Sequence, residues 1–150
     1  MNAITTQAEA ERALDDLAAL IEKLTAVIEQ ETALVRAGQL RRACTLEGAK
    51  AQLASQLHLS RERLRANAEF LLKTLPARCA ALATLQDGFR AVLQRNMIVL
   101  ATAHSVSEGI VRRLSSELTR QASPQIYGAT GRAAAPNPRH GRPLAVSRTL

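Results

Sequence analysis

Histidine, cysteine and paired carboxylates are the residue types that most often ligate metals, attack carbonyls or move protons. This chain holds three histidines (His58, His104 and His140) and two cysteines (Cys44 and Cys79), all far apart in sequence. None of them falls into an HExxH, CxxC or phosphate-loop spacing, so neither zinc hydrolysis nor redox exchange has a motif to stand on. GATGR, Gly128 to Arg132, carries two glycines but has no strand pattern before it and no helix pattern after it, as a dinucleotide fingerprint requires. The closest carboxylate pairs, Glu9/Glu11 and Asp15/Asp16, sit at the start of a helical pattern, where they complement the positive end of the helix dipole. Aromatic residues make up only 2% of the chain and no strand pattern is present, so there is little material to enclose a substrate. These residues point away from catalysis: we expect no enzyme activity, no cofactor and no bound metal.

The elements that would carry any other function are aliphatic helices. Alanine and leucine supply most of the 47% hydrophobic fraction. A chain of this make-up buries area along helix stripes, as coiled coils and helical bundles do, and has a thin core. No run approaches the ~18 apolar residues of a membrane span. MIVLATAHSV, Met97 to Val106, is too short and holds a histidine. The start, MNAITTQAEAERALDD, lacks the basic end and apolar run of a secretion signal, and the two thiols form no disulfide framework. A cytoplasmic location is the expectation.

The net charge of +7 raises the question of nucleic acid. Residues 1–31 hold seven acids against Arg12 and Lys23, while residues 123–150 hold four arginines and no acid. The remaining excess is spread over two helices with no run of five like charges, and no aromatic residues interleave with the arginines. That distribution reads as solvated helix faces rather than a phosphate track or a base-stacking platform.

Periodicity divides the chain into three long helices. From about Thr6 to Ala37, Leu14, Ile21, Ile28 and Val35 recur every seven residues, with Leu17 and Leu24 in the alternate row. Leu20, Val27 and Leu34 widen the stripe enough to serve two neighbours. Glu31 falls where the alternate row should continue, which predicts a weakening there. Gly38 is the natural stop. A second helix is expected from about Gln39 to Lys73, built on Leu57, Leu64 and Leu71. Its middle, HLSRERLRANAEF, is more charged, with a thinner stripe. Gly48 inside this helix suggests a close helix–helix approach.

KTLPAR, Lys73 to Arg78, marks the next boundary, because Pro76 suits the first turn of a helix and restricts Leu75 before it. The third helix is expected to reach about Ala122. Leu85, Val92, Val99 and Val106 form one seven-residue row, and Leu82, Phe89, Asn96, Ala103 and Ile110 form a second. Asn96 reads as a seam asparagine that sacrifices stability to fix register, so that Asn96→Leu would raise the melting temperature. At 1.5 Å per residue the first two helices are each about 50 Å long and the third about 70 Å. The fold class is therefore all-α: an elongated antiparallel up-and-down bundle or coiled coil of three long helices. Either the third helix breaks near Gly88 to give a fourth, or its end overruns the other two. An overrun leaves Ile110, Leu114 and Leu118 uncovered, a docking-site candidate that a partner or a homodimer would cover.

After Ala122 the composition changes, and residues 123–150 are expected to form a flexible tail beyond a helical domain of residues 1–122. AAAPNPRHGRP, Ala133 to Pro143, has three prolines and no apolar period.

Taken together, the three helices, the break at RAGQL (Arg36 to Leu40), Asn96 in QRNMIVL, a late arginine-rich turn and a Tyr-Gly motif followed by a tail resemble the FlgN family. The likeness runs over about residues 10 to 150. ETALVRAGQLRRACTLEGAKAQL, Glu31 to Leu53, is similar to that family's first-helix end, short break and second-helix start, Lys50 included. ASPQIYGATGR and RPLAVSRTL resemble the tails of alphaproteobacterial-type members. Gln39 departs from the pattern, standing where aspartate would cap the helix better.

The resemblance implies a cytoplasmic flagellar type III export chaperone. Such a protein binds the C-terminal helices of hook-associated (hook–filament junction) proteins, prevents their premature assembly and delivers them to the export apparatus. The partner-binding residues expected on that basis are Val99, Val106, Ile110, Leu114 and Leu118 on the third helix, with Ile126 and Tyr127 beyond it. The alternative is a coiled-coil structural or regulatory adaptor for another protein.

Overall fold

The computed structural model describes residues 4–122, and every regular element among them is helical. The described elements are α1 (Gln7–Arg36), α2 (Leu40–Cys44), α3 (Glu47–Ala66), α4 (Ala68–Thr74) and α5 (Pro76–Ala122). By internal contacts the chain divides into two units, Met1–His104 and Ser105–Leu150.

α1 is specified at both ends. Thr6 accepts from the Glu9 backbone N–H at 3.2 Å while the Glu9 carboxylate accepts from the Thr6 N–H at 3.2 Å, a reciprocal capping box. At the other end Gly38 adopts φ +71, a left-handed conformation that favours glycine. Its N–H reaches the Val35 carbonyl at 3.0 Å and the next N–H, of Gln39, reaches the Leu34 carbonyl at 2.9 Å. This is a Schellman stop, and it satisfies carbonyls that would otherwise be orphaned.

Between those ends the heptad rows face inward. Leu14, Leu17, Ile21, Leu24, Ile28 and Val35 are all buried, with Leu17 and Ile21 at 1% exposure. Each such side chain contributes about 1.5–3 kcal/mol of hydrophobic stabilisation. The wide stripe on α1 serves two neighbours. Leu57, Leu64 and Leu71 from α3 and α4 join its core on one side, and Leu82, Leu85, Phe89 and Val92 from α5 on the other.

Cross-links set the directions within this first unit. Lys50 bonds Glu31 near the end of α1, whereas Asn67 bonds Ile4 ahead of its start, so α3 runs against α1. Arg78 pairs with Asp15 and Asn96 with Glu31, so the first part of α5 runs along α1.

The expected second helix, Gln39 to Lys73, is instead three helices, and short polar side chains explain both breaks. The Thr45 hydroxyl donates to the Arg42 carbonyl at 2.7 Å, competing with the helix ladder between α2 and α3. Asn67 donates through Nδ2 to the Arg63 carbonyl at 2.8 Å, closing α3, while its Oδ1 accepts the Ile4 backbone N–H at 3.0 Å. A tertiary bond thus rewards the interruption. Gln39 offers α2 no side-chain cap, its amide oxygen accepting instead from Arg42 Nη1 at 2.7 Å.

The third helix does not break at Gly88; α5 is a single helix of 47 residues, about 70 Å long. The close approach expected at Gly48 is absent, since a methyl group there would meet nothing within 4 Å. The expectations for residues 123–150, Ile126 and Tyr127 among them, lie outside the described residues.

Candidate partner-docking site

Among the described residues, those with chemical potential form no metal-binding group: no three histidine, cysteine, aspartate or glutamate side chains could hold a metal ion. Nor is any described helix long and apolar enough to cross a membrane. His58 and Cys44 are exposed on different helices, and Cys79 is half-buried on α5.

One polar cluster is built with care, and it joins three helices of the first unit. Glu31 is 5% exposed and sits in the row of Leu17 and Leu24. Its Oε1 accepts from Lys50 Nζ at 2.8 Å and its Oε2 from Asn96 Nδ2 at 2.9 Å. Asn96, also 5% exposed, donates as well to Thr32 Oγ1 at 3.0 Å. The Thr32 hydroxyl in turn donates to the Ile28 carbonyl at 2.8 Å. Lys50 completes the set with a 2.8 Å bond to Glu47. Burial pulls the Lys50 ammonium down, but the bonds to Glu31 and Glu47 outweigh it and hold its pKa above the ordinary lysine value.

A buried carboxylate is tolerated only when charge and lone pairs are met. Here one cation and one amide do so from two different helices. The arrangement locks the register of α1, α3 and α5; it offers no open position for a substrate. Asn96 is buried at the helix interface, as its row implies. Glu31 is not a fault in the stripe but the acceptor around which the stripe is organised. Its only sequence signal is a carboxylate on an apolar row, with a lysine and an asparagine to meet it elsewhere.

The expected docking residues on α5 divide between the units. Val99, in the first, is half-buried. In the second, Val106, Ile110, Leu114 and Leu118 are 57%, 61%, 60% and 44% exposed. They recur every four residues and so form one slanted row along the helix surface. Val111, at 52% exposure, adds to that apolar face and escaped the row-by-row reading because it lies one step off the stripe.

The row does not repeat as a coiled coil would. Seven residues beyond Val106 and Ile110 stand Arg113 and Glu117. A long seam with a second copy therefore lacks its apolar positions, whereas a patch a few turns long suits a short partner helix.

Elsewhere in the first unit, a groove of about 590 Å³ opens between α3, α4 and α5 over Leu14, Leu17, Leu64, Leu71 and Leu82. It exists because α3 has the thin stripe its sequence shows. Leu57 and Leu64 belong to the core shared with α1, while His58, Arg61, Glu62 and Arg65 line the groove. No family model, curated protein or solved structure matches this chain.

Proposed function

We propose that this chain is a cytoplasmic export chaperone of the flagellar type III pathway, with hook-associated (hook–filament junction) proteins as clients. The helices of the first unit are read as a three-helix up-and-down bundle that serves as scaffold. The exposed row on α5 receives the amphipathic C-terminal helix of a client, helix against helix, and shields the face by which that client self-assembles. Delivery to the export apparatus follows. The observation that carries this reading is the uncovered row of Val106, Ile110, Leu114 and Leu118, large aliphatic side chains left facing solvent on a regular helix. The FlgN-like residues quoted above supply the identity of the client.

Docking by a segment that orders as it binds keeps net affinity moderate, which suits a carrier that must let go. Isothermal calorimetry of the full chain with C-terminal helix peptides of junction proteins tests the proposal. Heat of binding is expected for one of them, with affinity falling roughly tenfold or more in Ile110→Ser/Leu114→Ser, because each buried leucine-sized contact is worth about 1.5–3 kcal/mol. Absence of binding to any of these peptides would sink the chaperone reading. An unaltered affinity in the double variant would place the client elsewhere.

A further inference from the structure

A further apolar feature of the first unit is independent of the chaperone reading. The groove between α3, α4 and α5 runs from His58 and Gln86 at one end to Leu72 and Cys79 at the other. Fourteen residue steps of α3 and α4 separate His58 from Leu72, which is about 20 Å of helix. That length receives a helix of about four turns, twice the span of one set of anchors at i, i+3, i+4 and i+7. The floor is aliphatic, and Leu72 at the edge is 60% exposed.

The rim decides the partner. Arg61 and Arg65 stand one turn apart on α3, both exposed, and neither makes an ion pair with any described residue. Glu62 lies between them on the same rim and is the one opposing charge, leaving the edge net positive.

A second copy of this chain is a poor occupant. The apolar face of α1, the acid-rich helix, is already buried, and the exposed row on α5 carries Arg112, Arg113 and Arg120 in its turns against Glu108 and Glu117. We propose that the groove is a docking site for an amphipathic helix of another protein, with leucine-like anchors on one face and glutamate or aspartate along the edge that meets Arg61 and Arg65. The apolar face supplies affinity, and the charges set orientation and exclude basic helices.

Cys79 lines the groove and Cys44 does not, so a Cys44→Ala chain carries one reporter thiol. The probes are an amidated model helix of about 14 residues with leucine anchors and a glutamate edge, and its twin with lysine in place of each glutamate. Binding is read by fluorescence anisotropy and occupancy by the rate of maleimide reaction at Cys79. The glutamate peptide is expected to bind roughly tenfold more tightly than the lysine peptide, as two rim pairs allow, and to slow labelling of Cys79. Arg61→Glu/Arg65→Glu, both exposed positions whose helicity is checked by circular dichroism, should reverse the preference.

Equal affinity for both peptides, binding without protection of Cys79, or no binding would each overturn the proposal. So would protection of Cys79 by decanoate but by neither peptide, since the groove would then be a site for an amphiphilic anion. None of these outcomes depends on Ile110 or Leu114, so the groove and the α5 row fail or stand separately.

Discussion

The two portions of α5 use the same alphabet to opposite ends. Leu85, Val92 and Val99 are half-buried or buried, and Leu82 and Phe89 pack on the core. Val106 and Ile110 continue those same seven-residue rows, yet both are mostly exposed. The row is unchanged; its exposure is not. α1 meets α5 at Asn96 through Glu31 and ends at Arg36, stopped by its Schellman glycine. Apolar periodicity tells which face of a helix wants a partner; it does not tell whether the chain supplies one.

The largest contrast should come from truncating one side chain in each portion of the molecule's aliphatic stripe. Leu17→Ala removes a fully buried side chain and should cost about 2–5 kcal/mol in urea unfolding. Leu114→Ala should change stability by no more than about 0.5 kcal/mol. Similar losses from both would mean that the late row is packed rather than free.

Asn96→Leu sharpens the comparison at the point where the two regimes meet. A seam asparagine surrounded by aliphatic side chains should gain stability on replacement, which is what its row alone suggests. In the structure its amide donates to the buried Glu31 carboxylate, so leucine strips a charged acceptor of one partner. The expected result is a loss of about 1–3 kcal/mol, read as a lower urea midpoint. Adding Glu31→Leu and Lys50→Met should recover much of it, because an apolar replacement of a whole buried ionic cluster is often neutral or stabilising. A melting temperature raised by Asn96→Leu alone would contradict the cluster.

Gly88→Ala probes whether α5 is one helix. A methyl group there meets nothing within 4 Å, so alanine should stabilise by about 0.5–1 kcal/mol. Destabilisation would indicate a bend that needs glycine.

The smallest expected effects are in the pH dependence. Backbone hydrogen bonds from Thr5 and Thr6 hold the Glu9 carboxyl below its usual range. Its stabilising contribution is therefore present above the unfolded value and fades as the pH falls through the lowered folded value. Glu9→Gln should flatten the acid limb of stability. For Lys50 the folded pKa is raised, so its contribution is complete below the unfolded value, about pH 10, and fades as the pH rises beyond it. Lys50→Met should remove that alkaline slope. Unchanged slopes would show that these bonds are equally present in the unfolded chain.

Much of this architecture was legible from spacing. The helix start near Thr6, the stop at Gly38, the apolar rows of α1 and the helix opening near Pro76 are local signals in the sequence. The breaks in the second helix were not, because the reward for interrupting it at Asn67 is a bond to Ile4, 63 residues away. Glu31 was misread for the same reason: Lys50 and Asn96, which make it an asset, come from other helices. The row of Val106, Ile110, Leu114 and Leu118 was legible as a stripe, but helix lengths left open whether the third helix broke near Gly88 or overran the other two. The groove was not, although the charged run HLSRERLRANAEF that leaves it unsealed is plain in the sequence.

Amide hydrogen exchange along α5, with and without a junction-protein C-terminal helix, tests the central claim most directly. In the free chain, residues 10–28 of α1 should exchange slowly and residues 105–121 of α5 quickly, and the peptide should slow the latter stretch alone. Slow exchange at 105–121 without any partner, unchanged by dilution or by peptide, would show that the chain covers this row itself and that it is no docking surface.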